Sequence, residues 1–274
     1  MSPVLRMAVV QTRPTFGDVE GNVKRALRLA ERSKSKSQLY VFPELMTSGY
    51  VFVSRAEALA LAETPGGRPA RAPGLSLLAV WAKARRAWVV AGFPERDGRR
   101  VYNSAVLLAP DGRVRDVYRK IHLFFEEKLW FAPGDRAPRV HRVGAARVGM
   151  LICYDWRFPE ATRGLALAGA DVIAHPSNLV FPHAQQAMRV RALENRVFVG
   201  TANRVGEDVR PGRAVSFTGR SQIVAPDGSL IARAGIRAPR ALAAALDLRA
   251  ARDKWFTSRN HLFRDRRPEL YRTS

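Results

Sequence analysis

The single cysteine of the chain, Cys153, stands where an apolar run gives way to polar residues, in the segment Arg147-Val-Gly-Met-Leu-Ile-Cys153-Tyr-Asp-Trp-Arg-Phe-Pro-Glu160. A thiol at the end of a buried strand is held rigidly but opens toward solvent, and a lone thiol cannot form an internal disulfide. This placement is compatible with a nucleophile. Free cysteine is also a common packing residue in protein interiors, so the segment alone leaves both interpretations open.

Two charged residues occupy the same kind of position, at the end of an apolar stretch. Glu44 follows the run Leu-Tyr-Val-Phe-Pro, and Lys120 follows a strand-like stretch that ends at Tyr118. Ligands of open α/β sheets bind beyond the carboxyl ends of the strands. There a carboxylate could take the proton of the Cys153 thiol, the thiolate could attack an electrophilic carbon, and an ammonium could stabilise the developing negative charge. Taken singly, Glu44 could instead cap a helix, and Lys120 could be an ordinary exposed base.

The main rival to this arrangement is a cysteine–histidine dyad. Dyad partners need not be close in sequence, and none of the five histidines has a spacing to Cys153 that marks it as a base: His122, His141, His175, His183 and His261. A metal site is disfavoured because the chain has one cysteine, no His-x-x-x-His pair and no cluster of Asp and His. No Gly-x-Gly-x-x-Gly or Walker loop is present. The sequence therefore predicts neither a metal nor another cofactor.

The elements that must position these residues alternate between strands and helices, which indicates an α/β layer architecture. The predicted strands cover residues 6–12, 39–42, 87–93, 101–108, 114–118, 148–152, 171–175, 197–203, 219–224 and 242–246. The predicted helices cover 19–33, with Asp18 as N-cap, 75–84, 159–168 and a segment ending near 195. Pro-Asp-Gly turns stand at 110–112 and 226–228, and the first predicts a hairpin. We expect two sheets packed face to face and covered by helices.

The composition is that of a globular protein, with 274 residues, 47% hydrophobic and 26% charged. We expect a single domain over 1–274, with 254–274 as an aperiodic carboxyl-terminal arm. No apolar stretch reaches the ~18 residues that cross a bilayer, and the amino terminus lacks an apolar signal core. We therefore expect no membrane partner and a cytoplasmic location, where the thiol stays reduced.

The chain carries 46 Lys and Arg residues against 24 Asp and Glu, a formal net charge of +22. A field of this sign attracts nucleic acid and other polyanions. The basic residues are nevertheless scattered, and the densest clusters, Arg32-Ser-Lys-Ser-Lys36 and Arg264-Asp-Arg-Arg267, are short and lack interleaved aromatic residues. We expect no specific nucleic-acid partner, and a polyanion-binding protein with a vestigial site is the alternative from another functional class.

Three segments, in the same order along the chain, resemble the signature segments of the nitrilase superfamily of carbon–nitrogen hydrolases: Phe42-Pro-Glu-Leu45, Tyr118-Arg-Lys-Ile-His-Leu123 and Ile152-Cys-Tyr-Asp-Trp-Arg-Phe-Pro-Glu160. Two further segments agree with the family, namely Glu127-Lys-Leu-Trp-Phe-Ala-Pro-Gly134 and His175-Pro-Ser-Asn178 followed by Arg191-Ala-Leu-Glu-Asn195. The likeness extends from the first strand into the tail. The combined pattern is most similar to the amidase and aliphatic nitrilase-like members of thermophilic archaea.

The resemblance implies a four-layer α-β-β-α sandwich that forms a homodimer or a larger homo-oligomer. It implies Cys153 as the nucleophile, Glu44 as the general base and Lys120 as the group that stabilises the tetrahedral intermediate. Glu127 matches the family's second glutamate, which positions the substrate and assists proton transfer, and its spacing to the following residues favours it over Glu126. The resemblance implies no cofactor.

The implied function is hydrolysis of a small linear amide to a carboxylic acid and ammonia through a cysteine thioester, with hydrolysis of aliphatic nitriles as the second choice. The expected substrate-binding residues follow the strand-end loops: Tyr50, Tyr154, Trp156, Arg157, Asn178 and Phe181. Trp156 could equally be a packing aromatic residue. Arg157 could hold a substrate carboxylate, which would favour an ω-amide of a carboxylic acid, or it could face outward. We expect the 254–274 arm to reach the neighbouring subunit.

Overall fold

The computed structural model describes residues 3–33 and 36–271, and its centre is a pair of β-sheets. The strands are Val4–Gln11 (β1), Leu39–Val41 (β2), Trp88–Asp97 (β3), Arg100–Leu108 (β4), Val114–Arg119 (β5), Val140–Val143 (β6), Ala146–Met150 (β7), Val172–Pro176 (β8), Phe198–Ala202 (β9), Val205–Arg210 (β10), Arg213–Thr218 (β11), Gln222–Val224 (β12), Leu230–Arg233 (β13) and Arg240–Asp247 (β14). The helices are Val19–Glu31 (α1), Arg55–Leu61 (α2), Pro73–Arg85 (α3), Glu127–Trp130 (α4), Pro159–Leu167 (α5), His183–Asn195 (α6) and Arg249–Arg252 (α7). Short 3-10 turns lie at Pro69–Arg71, Cys153–Arg157 and Pro268–Leu270.

The two six-stranded sheets share one layout. The first has the strand order β14-β1-β2-β3-β4-β5 and the second β13-β12-β9-β8-β7-β6. Three central strands run parallel in each sheet, β1 to β3 in the first and β7 to β9 in the second. The outer strands pair antiparallel. Because neighbouring parallel strands end at the same edge, the loops that follow them gather side chains from distant parts of the chain.

The sheets pack face to face across an apolar core. Side chains of β1 alternate between the two faces: Met7 and Val9 contact the second sheet, whereas Ala8 and Val10 pack under α1 and α3. The approach of the sheets is close, since a Cβ added at Gly200 would lie 2.7 Å from the Met7 methyl carbon. Helices α5 and α6 cover the outer face of the second sheet. The layers form an α-β-β-α sandwich, which confirms the predicted fold class.

Most elements lie where the sequence patterns predicted them. The Asp18 carboxylate caps α1 by accepting the Gly21 N–H at 3.1 Å, and the two Pro-Asp-Gly turns connect β4 to β5 and β12 to β13. The structure adds α2, α4, α7, β6, β13 and the hairpin β10–β11, which the patterns did not predict. These elements are short, and β10 contains Glu207 and Asp208 in place of alternating apolar residues, so they carry little periodic signal.

The chain after α7 is an irregular tail. Lys254 anchors its start, because the ammonium donates to the backbone oxygens of Asn195 and Arg196 at 2.9 and 2.7 Å. Arg272, Thr273 and Ser274 of the predicted arm, and Lys34 and Ser35 of the first basic cluster, lie outside the described residues. The single-domain organisation and the interface role of the arm stay predictions. Among helices in the described part of the chain, none is both long enough and apolar enough to cross a membrane.

Candidate active site

Side chains from four strand ends meet between the two sheets. Glu44 follows β2, Lys120 follows β5, Cys153 follows β7 and Asn178 follows β8. All four are buried, with exposed fractions of 0, 1, 5 and 2% respectively. The two sheets are joined directly here, because the Asn178 side-chain amide donates to the Glu44 backbone oxygen at 2.9 Å.

Lys120 lies between two buried carboxylates. Its Nζ is 2.7 Å from Oε1 of Glu44 and 2.7 Å from Oε1 of Glu127. Burial by itself would lower the pKa of Lys120, but the two carboxylates outweigh burial and raise that pKa above its usual value. Burial raises the pKa of Glu127, and the Lys120 ammonium opposes this increase. The cluster therefore contains a permanent cation at neutral pH.

Two neutral side chains hold the carboxylates in place. Asn103 Nδ2 donates to Oε1 of Glu44 at 2.8 Å and to Oε2 of Glu127 at 3.4 Å. The Tyr50 hydroxyl donates to Oε1 of Glu127 at 2.7 Å, and burial together with the nearby carboxylates raises the pKa of Tyr50 well above its usual value. The second oxygen of Glu44, Oε2, is buried and accepts no hydrogen bond from any described residue. Glu44 therefore keeps one carboxylate oxygen available to take a proton.

Asn103 is a site residue that the sequence did not reveal. It lies at the middle of β4 with an exposed fraction of 0%. The one signal was the polar pair Asn103-Ser104 within the apolar run of that strand. Two consecutive polar residues in a strand point to opposite faces, and the pattern could not say which of them faced a site.

The turn that carries Cys153 is strained and well supported. Its φ of +40° places the residue in the left-handed region, which costs a non-glycine residue about 1–3 kcal/mol. The backbone oxygen of Cys153 accepts a hydrogen bond from Nε2 of His175 at 2.9 Å, and the preceding Ile152 N–H donates to the Asp155 carboxylate at 2.8 Å. These bonds hold the thiol at the tip of a sharp turn.

His175 bonds to the backbone of Cys153 and to Thr201. A carbonyl oxygen can only accept, so the ring proton is on Nε2, and the bond goes to the backbone of Cys153. Burial lowers the pKa of His175, which keeps the ring neutral. The geometry gives no support to a cysteine–histidine dyad through His175.

The thiol is held in its protonated form. Burial, and then the Glu44 carboxylate, raise the pKa of Cys153 well above its usual value, while the Lys120 ammonium and the Asn178 backbone N–H act in the opposite direction. Such a thiol needs a base at the moment it reacts. The unpaired oxygen of Glu44 is a suitable group for that task.

The remaining predicted residues surround this cluster in different ways. The Tyr154 ring contacts Phe124, with ring centroids 5.1 Å apart, and Phe124 in turn meets Phe181 edge-to-face at 5.9 Å. Phe181 is 43% exposed, whereas Trp156 is only 5% exposed and belongs to the apolar core between the layers. Arg157 is exposed, and its guanidinium carbon lies 5.7 Å from the Trp156 ring centroid.

The two adjacent glutamates have separate environments. Glu127 is buried in the cluster with Lys120, whereas Glu126 is partly exposed and forms an ion pair with Arg213 of the hairpin β10–β11.

Within residues 3–33 and 36–271, no group of three or more His, Cys, Asp or Glu side chains is arranged to hold a metal ion.

Comparison with known proteins identifies the family of the chain. The model of the carbon–nitrogen hydrolase family matches residues 6–254. The chain belongs to the carbon–nitrogen hydrolase family. This hydrolase is 42% identical over 270 residues to a nitrilase of Pyrococcus abyssi, a match that covers 98% of this chain and 99% of that protein. It is 36% identical over 234 residues to an (R)-stereoselective amidase of Pseudomonas sp., covering 84% of this chain and 81% of the relative.

A solved structure is similar across the whole fold. It is a variant of the amidase from Nesterenkonia sp. AN1, which shows covalent addition of the acetamide moiety of fluoroacetamide at the active-site cysteine. The two chains are 27% identical and superpose with a TM-score of 0.77, covering 97% of this chain and 95% of the amidase. The resemblance to the nitrilase superfamily seen in the sequence is thereby confirmed.

Proposed function

We propose that this carbon–nitrogen hydrolase converts a small linear amide to a carboxylic acid and ammonia through a thioester on Cys153. The observation that carries the proposal is the buried cluster of Glu44, Lys120 and Glu127 around a strained turn that presents the chain's single thiol. The relatives with amidase in their names, and the covalent adduct on the cysteine of the Nesterenkonia amidase, support the same chemistry.

The first half-reaction forms the thioester. Glu44 accepts the thiol proton through its free oxygen as the sulfur of Cys153 attacks the amide carbon. The carbonyl oxygen becomes an oxyanion, and the Lys120 ammonium and the Tyr154 backbone N–H are the donors that we assign to it. The C–N bond then breaks, and the nitrogen leaves as ammonia with the proton that Glu44 returns.

The second half-reaction consumes one water molecule. Glu44 accepts a proton from water as the water oxygen attacks the thioester carbon. The C–S bond then breaks to release the acid, and Glu44 returns its proton to the sulfur of Cys153, which restores the thiol. Glu127 holds Lys120, since the Lys120 ammonium and the Tyr50 hydroxyl both donate to its Oε1. The resemblance to the family is the reason that we also assign it the positioning of the substrate amide. The atoms balance with water as the only co-substrate.

The residues around the cluster bear on the choice of substrate. We assign Tyr154, Asn178 and Phe181 to the walls that contact the acyl group, and Trp156 supports them from the core. Exposed Arg157 is free to meet a substrate carboxylate. If it does, Arg157→Ala should raise KM for an ω-amide acid by about 10-fold or more and leave KM for the neutral amide unchanged. Equal effects on both substrates would indicate that Arg157 faces outward and does not bind the substrate carboxylate.

Nitrile hydrolysis is the second candidate, and the 42% identity to a protein named nitrilase favours it. The same thiolate would attack the carbon of a C≡N group. Release of ammonia measured across pairs of amides and nitriles with the same acyl chain separates the two activities. We expect higher kcat/KM for the amide of each pair, and a strong preference for the nitrile would contradict amide hydrolysis as the main activity. Cys153→Ala should release no ammonia from either.

We also propose a homodimer in the cytoplasm. Large apolar side chains are exposed on α6 and in the tail: Val190 (49%), Leu193 (50%), Trp255 (45%) and Phe256 (79%). Such residues commonly mark interaction surfaces when they occur together, and a single catalytic thiol is kept reduced in the cytoplasm. Light scattering should give twice the chain mass or more, and a monomer at micromolar concentration would contradict the assembly.

A further inference from the structure

The Asp155 carboxylate lies behind the nucleophile turn and is completely buried. It accepts four hydrogen bonds. Oδ2 accepts the Ile152 N–H at 2.8 Å and the Tyr118 hydroxyl at 2.7 Å. Oδ1 accepts Nδ1–H of His122 at 2.8 Å and the backbone N–H of the same residue at 3.3 Å. Both oxygens are therefore saturated by donors from the protein.

The four donors come from the two segments that carry the proposed reacting groups. Tyr118 and His122 stand two residues before and two residues after Lys120. Ile152 directly precedes Cys153, and Asp155 itself follows it in the same 3-10 turn. One carboxylate thus joins the Lys120 segment of the first sheet to the Cys153 turn of the second.

We infer that Asp155 is a positioning residue that fixes the Cys153 thiol relative to the Lys120 ammonium. The inference rests on the proposed function, in which these two groups act on the same carbonyl carbon and oxygen. Asp155 touches neither reacting atom through its side chain. It acts through the backbone N–H of Ile152 on one side and through Tyr118 and His122 on the other.

The physical basis is the strength and the direction of these bonds. Hydrogen bonds to a buried ionised carboxylate are roughly twice as strong as those between neutral groups. The Tyr118 hydroxyl stays a donor, because burial and the Asp155 charge raise the pKa of Tyr118 well above its usual value. The left-handed backbone of Cys153 would relax without the bond to the preceding N–H.

Asp155→Asn tests the inference with almost no change of shape. The new amide nitrogen would face donors that need an acceptor, so at least one segment must shift. A misplacement of about 1 Å costs on the order of 10²-fold in rate. We expect kcat to fall about 100-fold while KM stays within about 3-fold, because binding contacts remain and only the reacting geometry changes.

Asp171→Asn is the matched control. Asp171 is also buried and also accepts a backbone N–H, from Arg147 at 2.9 Å, as well as a side-chain bond, here from the Arg252 guanidinium at 3.0 Å. It precedes β8, so it lies at the opposite end of that strand from His175. The control should lower the unfolding temperature and leave kcat unchanged.

A second measurement does not depend on amide turnover. The rate of Cys153 alkylation by iodoacetamide reports how the site activates the thiol, and we expect Asp155→Asn to reduce it about 10-fold relative to wild type and to Asp171→Asn. If wild type releases no ammonia from any amide or nitrile, the proposed function fails, whereas the alkylation comparison still tests the positioning role.

Equal kcat and equal alkylation rates in the Asp155 and Asp171 variants would overturn the inference. Should Asp155→Asn fail to fold, Tyr118→Phe decides instead, because it removes one of the four donors and keeps the carboxylate. We expect kcat of Tyr118→Phe to fall about 5–10-fold, while its unfolding temperature stays within a few degrees of the wild-type value. Wild-type kcat and alkylation in that variant would contradict the role of Asp155.

Discussion

Replacing Lys120 by methionine should destabilise the buried cluster more than any other single substitution in it. The substitution keeps an unbranched side chain that is one heavy atom shorter, and it removes the cation that lies 2.7 Å from each of two buried carboxylates. Removing one member of a buried ion cluster typically costs 3–5 kcal/mol, since it leaves uncompensated charge in the interior. We expect a loss of about 3–5 kcal/mol in the free energy of unfolding near neutral pH, and a fall in kcat of about 10²–10³-fold.

The cost should depend on pH in a defined direction. Burial already raises the folded-state pKa of Glu127, and Lys120 restrains that rise. Without Lys120 the pKa of Glu127 rises further, so the folded variant binds a proton that the unfolded chain has released. Each proton taken up on folding lowers stability by about 1.4 kcal/mol per pH unit as pH rises. The destabilisation should therefore nearly vanish toward about pH 4.5 and grow as pH rises above that value, for as long as Glu127 of the folded variant keeps its proton.

The assay is urea unfolding followed by tryptophan fluorescence across this pH range. Lys24→Met is the control, because Lys24 pairs with Glu20 at the surface with 50% and 58% of the two side chains exposed. The control should show a small change with little pH dependence. A Lys120→Met penalty that is small, or equal at all pH values, would refute the view that Lys120 neutralises two buried carboxylates.

Three further predictions concern the same site and its support. Tyr50→Phe removes the hydroxyl that donates to Glu127 at 2.7 Å and should reduce kcat about 10-fold, as measured by ammonia release. The unfolding midpoint should fall only modestly, because Oε1 of Glu127 keeps its bond to Lys120. Arg204→Met leaves the buried Asp208 without the guanidinium that donates to both of its oxygens at 2.9 and 2.7 Å, so the free energy of unfolding in urea should fall by about 3–5 kcal/mol. Arg249→Met, at the exposed pair with Asp247, is the control and should leave the unfolding midpoint unchanged. Because burial and Glu44 raise the pKa of Cys153, its alkylation rate should still be increasing with pH above about 9, and a plateau near pH 7 would instead indicate a preformed thiolate.

Most of the fold could be predicted from the sequence, because the patterns that mark its strands, helices and turns lie within short segments of the chain. The strands β1, β2 and β8 are apolar runs, α1 has apolar residues at helical spacing after the cap Asp18, and Pro-Asp-Gly marks two turns. The sequence groups Glu44, Lys120 and Cys153 for a related reason, since each follows an apolar strand and ligands bind beyond the carboxyl ends of such strands. The structure brings Glu44 and Lys120 into direct contact, as that argument required.

The supporting residues could not be predicted, because their importance depends on contacts between distant segments. In the sequence, Asn103 is only a polar residue within an apolar strand. Its contacts with both carboxylates are seen only in the folded structure. In the sequence, Asp155 is only a polar residue in a turn. The hydrogen bonds that it accepts from Tyr118 and His122 depend on the folded structure. Asp208 lies in a hairpin with no periodic signal, yet its carboxylate accepts the Tyr50 N–H at 3.0 Å. A single sequence contains no measure of such long-range pairing.

The central claim is that the Cys153 thiol becomes covalently bound to the acyl group of the substrate. Acid quench of the enzyme during turnover of a small amide, followed by mass spectrometry of the peptide that contains Cys153, tests it directly. We predict an added acyl mass on Cys153 that is released by hydroxylamine, as expected for a thioester, and no adduct and no ammonia release from Cys153→Ala. Ammonia release that persists in Cys153→Ala, or an acyl group on another residue of the wild type, would contradict the mechanism.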